Sequence, residues 1–283
     1  MNTRRTFVKN AGLGIALGSM VSPSEILAQN APPARRAAST GPLLGVASYT
    51  LRKFKVEEAL AMTLRLGVNR MVFKDAHLPL AATDDQIRQT MTLAQAKGIE
   101  VYGCGTVYMK SEAEVDRAFH YAKTAGMKLI VGAPNIPLLP YVERKVKETG
   151  VLLAIHNHGP DNPLYASPLE AFDLVKGMDK RMGLCLDIGH AQRLGLDPIA
   201  VFKQVFGRVY DVHIKDVSGS NKASKTCEVG RGVIDMGGFL KAVVALKYTA
   251  TLSFEYEKDA DDPMAGLAES IGYVRGMLKL LTA

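Results

Sequence analysis

The sequence predicts a (β/α)8 barrel of the TIM type, and three observations carry that expectation. From residue 43 onward, eight short β-rich runs alternate with eight helix-like stretches in about 240 residues, the arithmetic of such a barrel. Gly67, Gly98, Gly126 and Gly150 each follow a helix-like stretch and precede a strand-like one, as helix-ending glycines do. The rival, a doubly wound open sheet, favours a glycine-rich turn after its first strand, and Ser48-Tyr49-Thr50-Leu51-Arg52 offers none.

The strand-like runs are Leu43–Ser48, Arg70–Phe73, Ile99–Cys104, Lys128–Val131, Val151–Ile155, Gly183–Asp187, Arg208–Ile214 and Thr249–Phe254. Helical patterns lie near 56–66, 84–97, 112–125, 140–149, 167–177, 197–205, 237–246 and 264–281, and Ser167-Pro168 supplies a cap followed by an N1 proline. No internal repeat is evident. With 47% hydrophobic and 22% charged residues in 283, a disordered tail, a collagen-like repeat and a small disulfide scaffold are excluded. The barrel is expected over residues 43–283.

The N-terminus has a different character. Thr3-Arg4-Arg5-Thr6-Phe7-Val8-Lys9 precedes an apolar run from Ala11 to Val21, the order of a signal peptide. The paired arginines resemble a twin-arginine export signal, which predicts a signal segment at 1–31, a flexible linker at 32–42 and a periplasmic or otherwise extracytoplasmic location. At 11 residues the apolar run falls short of the roughly 20 that span a bilayer, so no stable membrane span is expected. Residues 1–36 carry a net +4 of the formal +7, leaving +3 with no dense basic block, which argues against nucleic acid as a partner. Cys104, Cys185 and Cys227 show no zinc-type spacing, and no structural disulfide is expected. A homo-oligomer remains open.

In a barrel the reactive residues gather at the C-terminal ends of the strands. Five of the six histidines map there: His77, His156, His158, His190 and His213, with His120 inside a helical pattern. Asp187 and Glu255 close otherwise apolar strands, positions that are costly for a lone carboxylate and reasonable for one that meets a cation. His156, Asp187, His213 and Glu255 thus offer two nitrogens and two oxygens, a set suited to one divalent manganese, iron, cobalt, nickel or zinc ion. The competing reading is a metal-free, salt-bridged polar rim. Lys74 and Lys215 also fall near the rim, either as groups that hold a sugar oxygen, stabilise an enolate or act as bases, or as partners of Asp75 and Asp216. Arg231, in Gly230-Arg231-Gly232-Val233-Ile234-Asp235, is a candidate substrate contact or a solvated loop arginine.

At Leu186-Asp-Ile-Gly-His190, Val212-His-Ile-Lys-Asp216, Gly230–Asp235 and Phe254-Glu255 the chain resembles the xylose isomerase-like barrels, the group labelled sugar phosphate isomerase/epimerase, over about residues 43–281. The resemblance implies that Asp187, His213 and Glu255 bind one divalent metal and that His190 and Arg231 contact substrate; His77 is added as a further candidate contact. Epimerases of the group carry a glutamate where this chain has His156, a metal ligand that also shuttles a proton. The exchange leaves a metal site but removes one of two bases, so Glu255, assisted by Lys74, Lys215 or His158, is expected to act alone. The expected chemistry is proton abstraction beside the carbonyl of a keto-sugar through an enolate, ending in isomerisation or in loss of the aglycone of a 3-keto-glycoside. A small carbohydrate, free or glycosidic, is the expected partner. Rivals are a non-catalytic sugar-binding barrel and an endonuclease IV-like phosphodiesterase, which would need more ligands and a basic groove.

Overall fold

The computed structural model describes residues 41–283, so the expected signal segment and all of the expected linker but 41–42 lie outside the described residues. Eight parallel strands close into a barrel: β1 (Leu43–Ala47), β2 (Arg70–Phe73), β3 (Glu100–Met109), β4 (Leu129–Pro134), β5 (Leu152–His156), β6 (Met182–Asp187), β7 (Val209–Ile214) and β8 (Thr251–Phe254). Each strand pairs with its sequence neighbours, and β8 closes on β1 in the register Leu43↔Thr251 to Val46↔Phe254. The fold is the predicted (β/α)8 barrel.

Around it lie α1 (Val56–Arg65), α2 (Asp84–Ala96), α3 (Glu112–Thr124), α4 (Leu139–Thr149), α5 (Pro168–Val175), α6 (Ile188–Arg193), α7 (Pro198–Val205), α8 (Met236–Ala245) and α9 (Met264–Leu281). Their starts are chemically marked. Thr83 caps α2 in a capping box with Gln86, Ser111 accepts from Glu114 N, and Ser167 and Asp197 cap helices that open with proline. The four helix-ending glycines all adopt left-handed φ, between 67° and 79°. No described helix is long and apolar enough to cross a membrane.

Three elements differ from expectation. Strand β3 runs to Met109 rather than Cys104, because the register shifts between Cys104 and Val107 and the chain resumes pairing with β4 beyond the bulge. Helix α6 follows β6 with no loop: Asp187 serves both as the last strand residue and as the cap, its Oδ1 accepting His190 N at 2.7 Å. A two-stranded ribbon, Asp216–Val217 with Thr226–Cys227, follows β7. Its length of two residues per strand is below what periodicity can reveal.

The main core packs the outer face of the barrel against the helices. A second apolar cluster of Ala47, Val72, Tyr102, Leu129, Val131, Ala154 and Cys185, drawn from the first six strands, fills the interior. Above and beside it the interior turns polar.

Candidate metal centre

Side chains alternate along a strand, so every second residue of the last four strands faces the barrel interior. Ala154, Cys185, Asp211 and Ser253 form one level, and two residues on come His156, Asp187, His213 and Glu255. Register then sets the neighbours: His156 pairs with Cys185 and Asp187 with His213, while Glu255 N donates to Ile214 O at 3.1 Å, continuing the ladder past β8. All four side chains of the upper level are buried.

One donor atom from each of these four converges. His156 Nε2 lies 3.2 Å from His213 Nδ1, His213 Nδ1 lies 3.2 Å from Glu255 Oε2, and Asp187 Oδ2 lies 3.7 Å and 4.0 Å from His156 Nε2 and His213 Nδ1. Ligands about 2.1 Å from a tetrahedral ion stand roughly 3.4 Å apart, so these separations fit a first coordination shell. The nitrogens turned away from this point, His156 Nδ1 and His213 Nε2, are buried without a hydrogen-bond partner, and Asp187 Oδ2 is ion-paired to Lys215 Nζ at 3.0 Å. Two imidazole nitrogens facing each other satisfy at most one lone pair by sharing a proton, whereas a cation between them satisfies both. The residues present therefore fit a divalent metal.

Charge is arranged to match. Burial would raise the carboxyl of Asp187, but His190 and Lys215 beside it hold it well below the usual range. Burial likewise opposes ionisation of Glu255 and is outweighed by Lys215, Lys74 and His213. Burial pushes His156 well below the ordinary imidazole value and lowers His158 and His190, leaving neutral rings with lone pairs available near pH 7. Asn157 holds Asp187 from behind: its side chain donates to Asp187 O at 3.0 Å and accepts from Asp187 N at 2.9 Å.

The lysines take partners other than their sequence neighbours. Lys74 Nζ bonds Glu255 Oε1 at 3.0 Å and Thr106 Oγ1 at 3.1 Å, not Asp75. Lys215 Nζ is buried among Asp187 Oδ2 at 3.0 Å, Glu255 Oε2 at 3.0 Å and Glu257 Oε1 at 2.9 Å. These three carboxylates hold its ammonium above the ordinary value against the effect of burial. Lys215 thus balances the charge of the Asp187 and Glu255 carboxylates and does not line the cavity above them.

That cavity, of about 380 Å³, is bounded by Tyr49, Lys74, Tyr108, His158, His190 and Glu257 together with His156 and Glu255. His158 has a defined tautomer: its Nδ1 is 3.0 Å from Leu164 O, which can only accept, so Nδ1 carries the hydrogen. Nε2 is then the lone pair, and it accepts from the Tyr108 hydroxyl at 2.8 Å.

Two candidate contacts stand elsewhere. His77 is buried with both nitrogens engaged, Nε2 donating to Leu51 O at 3.2 Å and Nδ1 accepting from Ser48 Oγ at 2.9 Å. Ser48 Oγ in turn accepts from Lys74 N at 2.8 Å, so His77 holds the end of β2 in place rather than facing the cavity. Arg231 is exposed and bidentate to Glu269, at 2.5 and 2.7 Å. The glycines beside it serve Asp216, whose carboxylate accepts from Gly230 N, Gly232 N and Val217 N; a Cβ at Gly232 would collide with it. Sequence reasoning missed Tyr108, Thr106, Tyr49 and Glu257, none of which has a pattern that marks it. Asn157, inside His-Asn-His, was visible but had no assigned partner.

No curated protein is similar enough in sequence to count as a relative. Among solved structures, an L-ribulose 3-epimerase matches with TM-score 0.68 and 17% identity over 85% of this chain and 96% of that one. A xylose isomerase-like TIM barrel protein from Mycobacterium smegmatis in complex with magnesium gives 0.64 and 17% over 87% and 99%. The probable 3-DHS dehydratase AsbF from Bacillus anthracis gives 0.60 and 12% over 85% and 99%. These likenesses concern the fold. The sequence pattern that defines the xylose isomerase-like TIM barrel matches residues 65–277, and the chain belongs to that family.

Proposed function

We propose that this protein is a metal-dependent enzyme that removes a proton next to the carbonyl of a keto-sugar, ending in isomerisation or in elimination of a glycosidic substituent. The observation that carries this reading is the convergence of one donor atom each from His156, Asp187, His213 and Glu255, with two imidazole nitrogens facing each other at 3.2 Å, beneath a cavity that also holds a neutral histidine of fixed tautomer. A divalent ion at these four ligands supplies Lewis acidity, offsetting the negative charge that develops as the proton leaves carbon. The epimerase and dehydratase among the structural neighbours suit a shared proton-abstraction step followed by different fates.

The division of labour follows from the contacts. Both oxygens of Glu255 are engaged, by Lys74 on one side and by Lys215 and His213 on the other, which makes it a ligand and a poor base. His158 is the better base: its lone pair is at Nε2, its Nδ1–H is anchored on Leu164 O, and burial keeps it neutral. The Tyr108 hydroxyl now donates to Nε2, and a substrate that reaches this lone pair replaces that bond. Lys74 places an ammonium at the cavity wall, where it holds a sugar oxygen. Among the described residues lining the cavity Lys74 is the sole lysine or arginine and is already paired, which favours an uncharged sugar over a phosphorylated one. Export by the twin-arginine route, also proposed, places such glycosides within reach.

Metal analysis of the purified protein, with deuterium exchange into a 3-keto-glucoside followed with and without chelator, tests the reading. One bound divalent ion and chelator-sensitive exchange are expected, and released aglycone selects elimination. Absence of metal under all loading conditions would remove the proposal and favour a sugar-binding barrel.

A further inference from the structure

A second cavity, of about 250 Å³, opens beside the first at the tops of β2 and β3 and shares Asp75, Thr106 and Tyr108 with it. Its character is different. Phe73, Leu78, Leu80, Val107, Tyr108 and Tyr121 supply most of its wall. Several of the polar atoms there are engaged: Tyr121 Oη donates to Leu78 O at 2.9 Å, Asp75 Oδ1 accepts from Leu80 N at 2.9 Å, and Thr106 Oγ1 accepts from Lys74 Nζ at 3.1 Å. Burial pushes the Cys104 thiol up to about 12, so that part of the wall is uncharged.

We propose that this second cavity receives an apolar, ring-shaped substituent of the sugar, an aromatic aglycone, while the keto-sugar ring of the same molecule sits over the four ligands. The inference rests on the proton-abstraction reading above and names its substrate class. Continuity supports it: Thr106, in the shared wall, is hydrogen-bonded to Lys74, which is ion-paired to the ligand Glu255. Size supports it as well, since a cavity of about 150 Å³ already admits benzene, and this one accommodates a substituted ring. A second sugar fits less well: six of the ten lining residues are apolar or aromatic, and the polar atoms already engaged leave few partners for a ring of hydroxyls. Tyr108 lies where the two halves meet, its ring stacked on His158 with centroids 5.4 Å apart and its edge on the apolar cavity. The bond between sugar and aglycone therefore falls beside the base.

The test is calorimetric titration of the manganese-loaded protein with phenyl β-D-glucoside and methyl β-D-glucoside, in the wild type and in Leu80→Trp and Val107→Phe, which fill the cavity from its rim and its wall. The phenyl compound is expected to bind at least tenfold tighter in the wild type. Either folded variant should reduce that ratio to near one while leaving the methyl glucoside affinity within twofold. Equal affinities in the wild type, no saturable binding of the phenyl compound, or a preference that survives both substitutions overturns the subsite. The reaction is scored separately by deuterium exchange into methyl 3-keto-β-D-glucoside. Exchange without a phenyl preference overturns the subsite and keeps the chemistry; a phenyl preference without exchange keeps the subsite and overturns the chemistry.

Discussion

Two buried polar levels lie one above the other inside the same barrel, on the same strands, and they differ in how their polar atoms are satisfied. In the lower level Tyr102 donates to Asp211 Oδ2 at 2.9 Å and meets Ser253 Oγ at 2.5 Å, while Asp211 Oδ1 accepts from Val212 N at 3.0 Å. Every member has a partner within the protein. In the upper level His156 Nε2 and His213 Nδ1 face each other at 3.2 Å with the Asp187 and Glu255 carboxylates around them, a set that one shared proton cannot satisfy. The lower level is a closed network within the barrel; the donor set of the upper one could hold a cation. Both levels are buried, so the satisfaction of hydrogen bonds, rather than burial alone, distinguishes them.

The largest effect expected from breaking this contrast is in the upper level. Asp187→Ala or Glu255→Ala should reduce divalent-metal affinity at least 100-fold by calorimetry, and a variant retaining full occupancy would sink the ligand assignment. In the lower level, Tyr102→Phe should cost about 1–3 kcal/mol in urea unfolding by leaving buried acceptors unpaired, with metal affinity within twofold of wild type. A matching loss of metal there would mean that the levels are not independent.

The two levels also respond oppositely to pH in the metal-free protein. The histidines above have folded pKa values lowered by burial, so the unfolded chain binds more protons and stability falls as pH drops below the ordinary 6.5. Asp211 below is raised by burial from 3.8 to about 7, so its contribution is fully present below 3.8 and is lost as pH rises through 7. Urea unfolding of wild type and Asp211→Asn at pH 5 and pH 8 should show the wild-type advantage shrinking at the higher pH. A constant difference would place Asp211 in its ordinary range.

Smaller effects sharpen the edges of the upper level. His156→Glu should retain metal, since a carboxylate oxygen replaces the nitrogen, and raise any epimerase activity; complete loss of metal would show that the imidazole itself is needed. Smallest of all, Arg231→Ala should change stability by less than about 0.5 kcal/mol and turnover by less than twofold, because its pair with Glu269 is exposed. A tenfold loss of turnover would bring that loop back into the site.

The barrel was legible because helical and strand periodicities alternate and because caps and glycines punctuate them at the right places. The four converging residues were legible for a related reason: Asp187 and Glu255 interrupt apolar strands, an anomaly that local pattern exposes. His77 shows the limit. It lies beside a strand end as His158 does, yet one ring is consumed by Ser48 and Leu51 and the other faces the cavity with Tyr108. Arg231 reads equally well as a substrate contact until Glu269, 38 positions away, is seen to hold it outside.

By itself, then, the sequence determined the order of elements, the end of the barrel that carries reactive groups, and the residue types on offer there, because these depend on local periodicity and on the cost of burying charge. Tertiary structure alone decided which imidazole nitrogens face each other, that Lys215 neutralises the Asp187 and Glu255 carboxylates, and that an apolar cavity adjoins them. Those outcomes depend on barrel closure and register, which bring Tyr108 to His158 and Lys74 to Glu255 across separations that no local pattern encodes.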